Sequence, residues 1–193
     1  MKTLNLTSEL ERLITDIVSR MDEFNHIDPS RILVCVSSTR VGGVHGTYAK
    51  IHPLRFENGS RTKAIGRGMR RHVYESPTVT HRGVEMLYVI YFLVPRFLNL
   101  PFREKMITLF HELYHVSPEF DGDIRRFPGK NYAHGSSTRR YNNYMAQLVE
   151  AYFKSEKECY PADFLKGDMA EIRQRYRSIV GRKMAAPQIK LLK

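Results

Sequence analysis

Cysteine is scarce in this 193-residue chain, with only Cys35 and Cys159. Two thiols cannot build a zinc ribbon or a disulfide framework, which excludes a stapled secreted scaffold and an all-cysteine metal site. Cys35 falls inside the apolar run Ile32-Leu33-Val34-Cys35-Val36, where a buried free thiol is the expectation. Long apolar runs are also lacking. The strongest, Val84–Leu100, is broken by Glu85, Pro95, Arg96 and Asn99 and is too short to cross a bilayer. The opening residues MKTLNLTSELERL hold no continuous apolar stretch and carry acids early, so a secretory leader is not expected. No repeat and no low-complexity segment appears. The expectation is a single domain, residues 1–183, with a basic tail over 184–193, working in a reducing cytoplasm.

Acidic residues are missing from one stretch and sparse in another. Residues 173–193 hold seven Lys and Arg and no acid, and residues 55–82 hold seven against two, within a chain of net charge +11. The remainder is nearly neutral. Two localised basic zones suit an anionic partner such as nucleic acid, although a solvated basic face has the same composition. No membrane partner is expected.

The apolar spacing predicts a helix from a Thr7 or Ser8 cap to about Phe24, through Leu10, Leu13, Ile14, Ile17, Val18 and Met21. Arg31–Ser37 and Val84–Val94 read as strands, with a weaker candidate at Tyr48–Phe56. Arg61–Arg71 reads as an exposed loop. Pro101 is expected to open a helix that runs to about Val116 before Pro118. Further helices are expected over about Ser137–Lys157 and from Asp168 to about Arg182. The order is helix, strands, then helices, an α+β class with one small, mostly antiparallel sheet packed on helices.

The residues that carry chemistry are His111-Glu112-Leu113-Tyr114-His115, an HExxH pattern. On a helix the two histidines stand four residues apart, so both imidazoles project from one face and reach one cation. Glu112 between them is placed to take a proton from a water that the cation acidifies. A helical wheel sets the histidines opposite Met106, Phe110 and Leu113, on the face where a cleft belongs.

Two imidazoles leave a catalytic zinc one protein ligand short. The HExxHxxGxxH extension is absent, because Pro118 stands in the Gly place and Asp121 in the last His place. Downstream donors are Glu119, Asp121, Asp123, His134 and Glu150. His134 is favoured, since it follows a turn-rich loop and a third neutral imidazole suits zinc. Glu150 reads as an ordinary helical surface acid. Asp121 and Asp123 either orient a ligand imidazole through its second nitrogen or order the loop. Tyr132, Tyr141 and Tyr144 are candidate oxyanion donors, and Arg125 with Arg126 is a candidate contact for a substrate anion. His45, His52, His72 and His81 lack metal spacing and read as structural or surface residues.

The segment HELYHVSPEFDGDIRRFPGKNYAHG resembles the phage-type metallopeptidase family, with the match concentrated in residues 109–141. That resemblance implies a zincin-like fold, one zinc ion and action on peptide or protein. It places the ligands at His111, His115 and His134 and the acid/base at Glu112. The alternatives from the residues alone are a basic nucleic-acid-binding protein with a structural or vestigial metal, and a DNA-associated peptidase of the SprT type. The missing zinc-ribbon cysteines weaken the latter.

Overall fold

The structure, a computed structural model, describes residues 2–39, 47–128, 138–155 and 161–192. A three-residue strand, β1 (Thr3–Asn5), runs straight into helix α1 (Leu6–Arg20). The cap is Asn5 rather than Thr7 or Ser8: its side-chain oxygen accepts from the Ser8 amide. Leu6, Leu10, Leu13, Ile14 and Ile17 line the buried face at three- and four-residue spacing. The helix stops at Arg20, because Met21 turns to an extended conformation.

Strands β2 (Ile32–Ser38), β3 (Ala49–Pro53), β4 (Thr62–Ile65), β5 (His72–Glu75), β6 (Thr80–His81), β7 (Val84–Glu85) and β8 (Tyr88–Val94) follow. The expected single sheet is corrected to several small ones. The main one has the order β2-β8-β3 and is mixed: β2 pairs parallel with β8 from Ile32↔Tyr88 to Ser38↔Val94, and β3 pairs antiparallel with it. The continuous apolar sequence of β8 follows from this central place, since both of its faces are covered. Tyr88, Ile90 and Phe92 enter the main core with Ile32 and Val34. Val89 and Tyr91 turn the other way and join Leu33, Cys35, Leu54 and Met86 in a smaller cluster. Cys35 is buried there as a free thiol, and burial pushes it up to about 11.

Helix α2 (Phe102–Tyr114) crosses the main core with Met106, Leu109, Phe110 and Leu113 buried. Pro101 takes the N-cap place, so the helix begins one residue later than expected, and its carbonyl accepts from the Lys105 amide. Helix α3 (Thr138–Lys154) packs on α2 through Tyr141, Met145, Val149 and Tyr152. Phe110 meets Phe24 at 5.5 Å and Tyr152 at 5.8 Å between ring centroids, so one aromatic joins the α1 end, α2 and α3. Burying a side chain of that size contributes roughly 1.5–3 kcal/mol.

The last helix is shorter than its basic pattern suggested. α4 (Met169–Arg175) starts in a capping box between Asp168 and Glu171 and ends where Tyr176 turns extended. Strand β9 (Ser178–Val180) follows, pairing parallel with β1. β-branched Ile179 and Val180 and the open side of β1 override the helical reading. Arg182 then clasps the fold. Its guanidinium reaches Glu11 at 2.5 Å and the Val34 carbonyl at 2.9 Å, and its own carbonyl accepts from Val36 at 2.7 Å. Residues 184–192 stay docked: the Tyr91 hydroxyl donates to Ala185, and β10 (Lys190–Leu191) pairs with β5. Among the described residues no helix is long and apolar enough to cross a membrane.

Candidate metal centre

On α2 the apolar residues face the core, which turns His111 and His115 out of it together. Their Nε2 atoms lie 3.0 Å apart. Two nitrogens on one tetrahedral zinc, each at about 2.0–2.1 Å, lie about 3.3 Å apart. This pair therefore fits a shared cation with little adjustment.

His115 is the C-cap of α2, and its backbone is held on both sides. Its amide donates to the His111 carbonyl, and its carbonyl accepts from the Arg125 amide at 2.7 Å. The loop that makes this contact doubles back through a bridge between Val116 and Ile124. Tyr88 locks that loop from the sheet, accepting from the Gly122 amide at 3.0 Å and donating to the Asp123 carbonyl at 2.8 Å. Gly122 has φ +91°, and a Cβ there would sit 2.6 Å from Arg55 Cγ, so glycine permits this close approach.

Glu112 is 6% exposed. Burial pushes its carboxyl up to about 7, opposed in part by the backbone N–H of Ile51. A carboxyl held near neutrality is tuned for proton transfer at that pH. Ile51 is free to donate because of strand register. Tyr48 and Leu54 exchange backbone bonds with the β8 side, so the amides of Ala49 and Ile51 point away from it, toward α2.

Tyr141 of α3 packs against both imidazoles, with ring centroids 4.9 Å from His111 and 5.8 Å from His115. Its hydroxyl lies 3.4 Å from the His111 carbonyl, and burial, then the Glu112 charge, hold its proton far above the ordinary tyrosine range. A cavity of about 700 Å³ opens over His111, Glu112 and His115, walled by β3, α2 and the Asn142, Asn143 and Ala146 side of α3.

The other sequence candidates fall elsewhere. His134 and Tyr132 lie outside the described residues, as does His45. Among the described residues no three His, Cys, Asp or Glu side chains converge as a metal site. Helix α3 does dock on α2, the condition for Glu150 to approach, yet Glu150 binds Arg103 at 2.9 Å, two turns before His111. The residues of α3 at the histidine level are Asn142 and Asn143. Asp123 holds Arg126 by two contacts of 2.9 and 3.0 Å, and Asp121 accepts from the Asp123 amide, so both order the loop. Arg125 lies over the Tyr114 ring at 4.1 Å and donates to the Tyr114 carbonyl. Tyr144 donates to Glu23 at 2.9 Å. His52 is half-buried on β3, His72 is exposed on β5, and His81 lies 3.2 Å from Arg182.

Two features have no signature in the sequence. The Ile51 donor is a backbone group whose role depends on register. Lys105, on α2, is fully buried, with its ammonium on the carbonyls of Leu165 at 2.8 Å and Gly167 at 2.5 Å. Burial pushes it down to about 8.

A family model described as "Putative phage metallopeptidase" matches residues 3–152. No curated protein and no solved structure matches the chain.

Proposed function

The chain belongs to the phage metallopeptidase family, and from that premise we propose a zinc-dependent peptidase of zincin type, with one zinc held by His111, His115 and His134 and with Glu112 as general acid/base. The observation that carries this reading is the Nε2 pair at 3.0 Å beside a buried carboxyl poised near neutrality. Bound there, zinc supplies Lewis acidity, which polarises a scissile carbonyl and lowers the pKa of water.

The chain's own groups do the rest. Glu112 takes a proton from the attacking water on a carboxylate oxygen and returns it to the leaving amine. The Ile51 N–H keeps the pKa of that carboxyl from rising further. Tyr141 keeps its proton throughout the neutral range, as a donor to a developing oxyanion must, and its ring fixes both imidazoles. The outward backbone groups of Ala49 and the Ile51 carbonyl offer an extended peptide the hydrogen bonds of an added strand. A sheet edge beside the HExxH helix is the arrangement that supports the zincin assignment.

The test is Glu112→Gln, which keeps size and hydrogen bonding but cannot accept the proton. Zinc content stays at the wild-type level while hydrolysis of an unfolded protein substrate falls by roughly 10²–10⁴-fold, the usual worth of a general base. Unchanged turnover in a zinc-loaded Gln variant overturns the role given to Glu112.

A further inference from the structure

The two basic zones, far apart in sequence, meet in one sheet. β10 comes from the second zone and pairs with β5, which pairs with β4, both from the first, in the order β10-β5-β4. The register sets Lys63, Tyr74 and Leu191 side by side on one face, with Ile65 and His72 next to them. Every residue of β4 is exposed, so neither face of that strand is covered. Ile65 and Leu191 are 52% and 58% exposed. Gly66, at φ +97°, makes the reversal beyond β4: a Cβ there would lie 2.1 Å from the Arg70 carbonyl oxygen. That turn gathers Arg67, Arg70 and Arg71 at one end of the sheet.

Part of this basic charge is held within the fold. Arg55 and Arg61 are held by Glu85, and Arg182 is held by Glu11. Arg175 binds backbone carbonyls of Asp163 and Lys166. By contrast Lys63, Arg67, Arg70 and Arg71 are all exposed, and none has an acidic partner among the described residues, whereas Lys190 lies across from Glu75 on the opposite face. Lys63 on that face and Arg67, Arg70 and Arg71 at its end give four such cations around an open sheet face with the Tyr74 ring at its centre.

We propose that this β4-β5-β10 sheet is a docking surface for single-stranded nucleic acid. The cations meet phosphates, while Tyr74, His72 and the exposed Ile65 and Leu191 offer flat apolar surface to unpaired bases. A duplex fits less well, because its bases are stacked on one another and present no free face to the ring. The surface is independent of the metal cleft and binds whether or not the cleft is loaded.

The experiment is fluorescence anisotropy of a labelled oligothymidylate with the full chain across a salt series. If the four cations each meet a phosphate, log affinity falls against log salt with a slope of about −2.8, at about −0.7 per phosphate for single strands. Lys63→Gln with Arg70→Gln and Arg71→Gln reduces the slope by about 2. Tyr74→Leu weakens binding by about tenfold without changing the slope, the scale of one lost stacking contact. Tyr74→Phe retains the affinity. Matching circular dichroism spectra establish that the variants are folded. Absence of binding at about 50 mM salt, where phosphate contacts are strong, overturns the proposal. So does an unchanged slope in the triple variant, or tighter binding to duplex DNA or to phosphatidylserine vesicles than to the oligonucleotide.

Discussion

Replacing Ile51 with proline removes one hydrogen and tests how the base is tuned. The Ile51 N–H points away from β8 and lowers the Glu112 carboxyl, so proline deletes this donor and no ladder bond. A hydrogen bond to a charged group contributes about 1.5–3 kcal/mol, and one pKa unit corresponds to about 1.4 kcal/mol. Losing the donor therefore raises the Glu112 carboxyl, already pushed up to about 7, by roughly one to two units. Its ionised fraction at pH 7 drops from about one half to about one tenth or less. The assay is NMR titration of the labelled glutamate carboxyl in metal-free protein. Ile51→Val keeps the N–H and nearly all the side chain, so it titrates with wild type, and Ile51→Pro titrates higher. Proline and valine variants titrating at the same pH would refute the reasoning.

The same carboxyl governs stability in metal-free protein. Its folded pKa of about 7 lies above the ordinary 4.5, so the native state binds more protons between these values and stability falls as pH rises through that window, by up to about 3 kcal/mol; urea melts of Glu112→Gln lack that slope. Lys105 acts in the opposite sense: its folded pKa of about 8 lies below 10.5, so the unfolded state binds more protons in between. Between pH 7 and 9.5 wild type gains about 2 kcal/mol in urea denaturation relative to Lys105→Met, which lacks this contribution. In zinc retention against a weak chelator, His134→Ala loses metal far faster than Glu150→Ala, whose carboxylate serves Arg103; the reverse order transfers the third ligand to Glu150.

The helices were legible because their apolar periodicity survives in the packed structure. The α2 stripe of Met106, Phe110 and Leu113 is buried, and the two histidines emerge together. The strands β2 and β8 were legible from their β-branched and aromatic runs. The small strands were not, because pairing partners supply what their sequences lack. β4 lies in a stretch whose glycine and arginine content spelled loop, and β9 lies in one whose basic pattern continued a helix. Each is a strand because a neighbour presents an open edge. The pairing of His111 with His115 follows from i, i+4 spacing alone. The Ile51 donor depends on the register of β3 on β8, which no local pattern encodes. Lys105 reads as an ordinary helical lysine, and only the docking of residues 165–167 makes it a buried clamp.

The central claim is that His111 and His115 share one catalytic zinc. Crystals of the zinc-loaded full chain, measured at the zinc absorption edge, test it most directly. The expected result is a single anomalous peak about 2.0–2.1 Å from both Nε2 atoms, with the His134 imidazole as third protein ligand and Glu112 beside it but not bound. A peak that lies elsewhere, or one that engages only one of the two histidines, contradicts it.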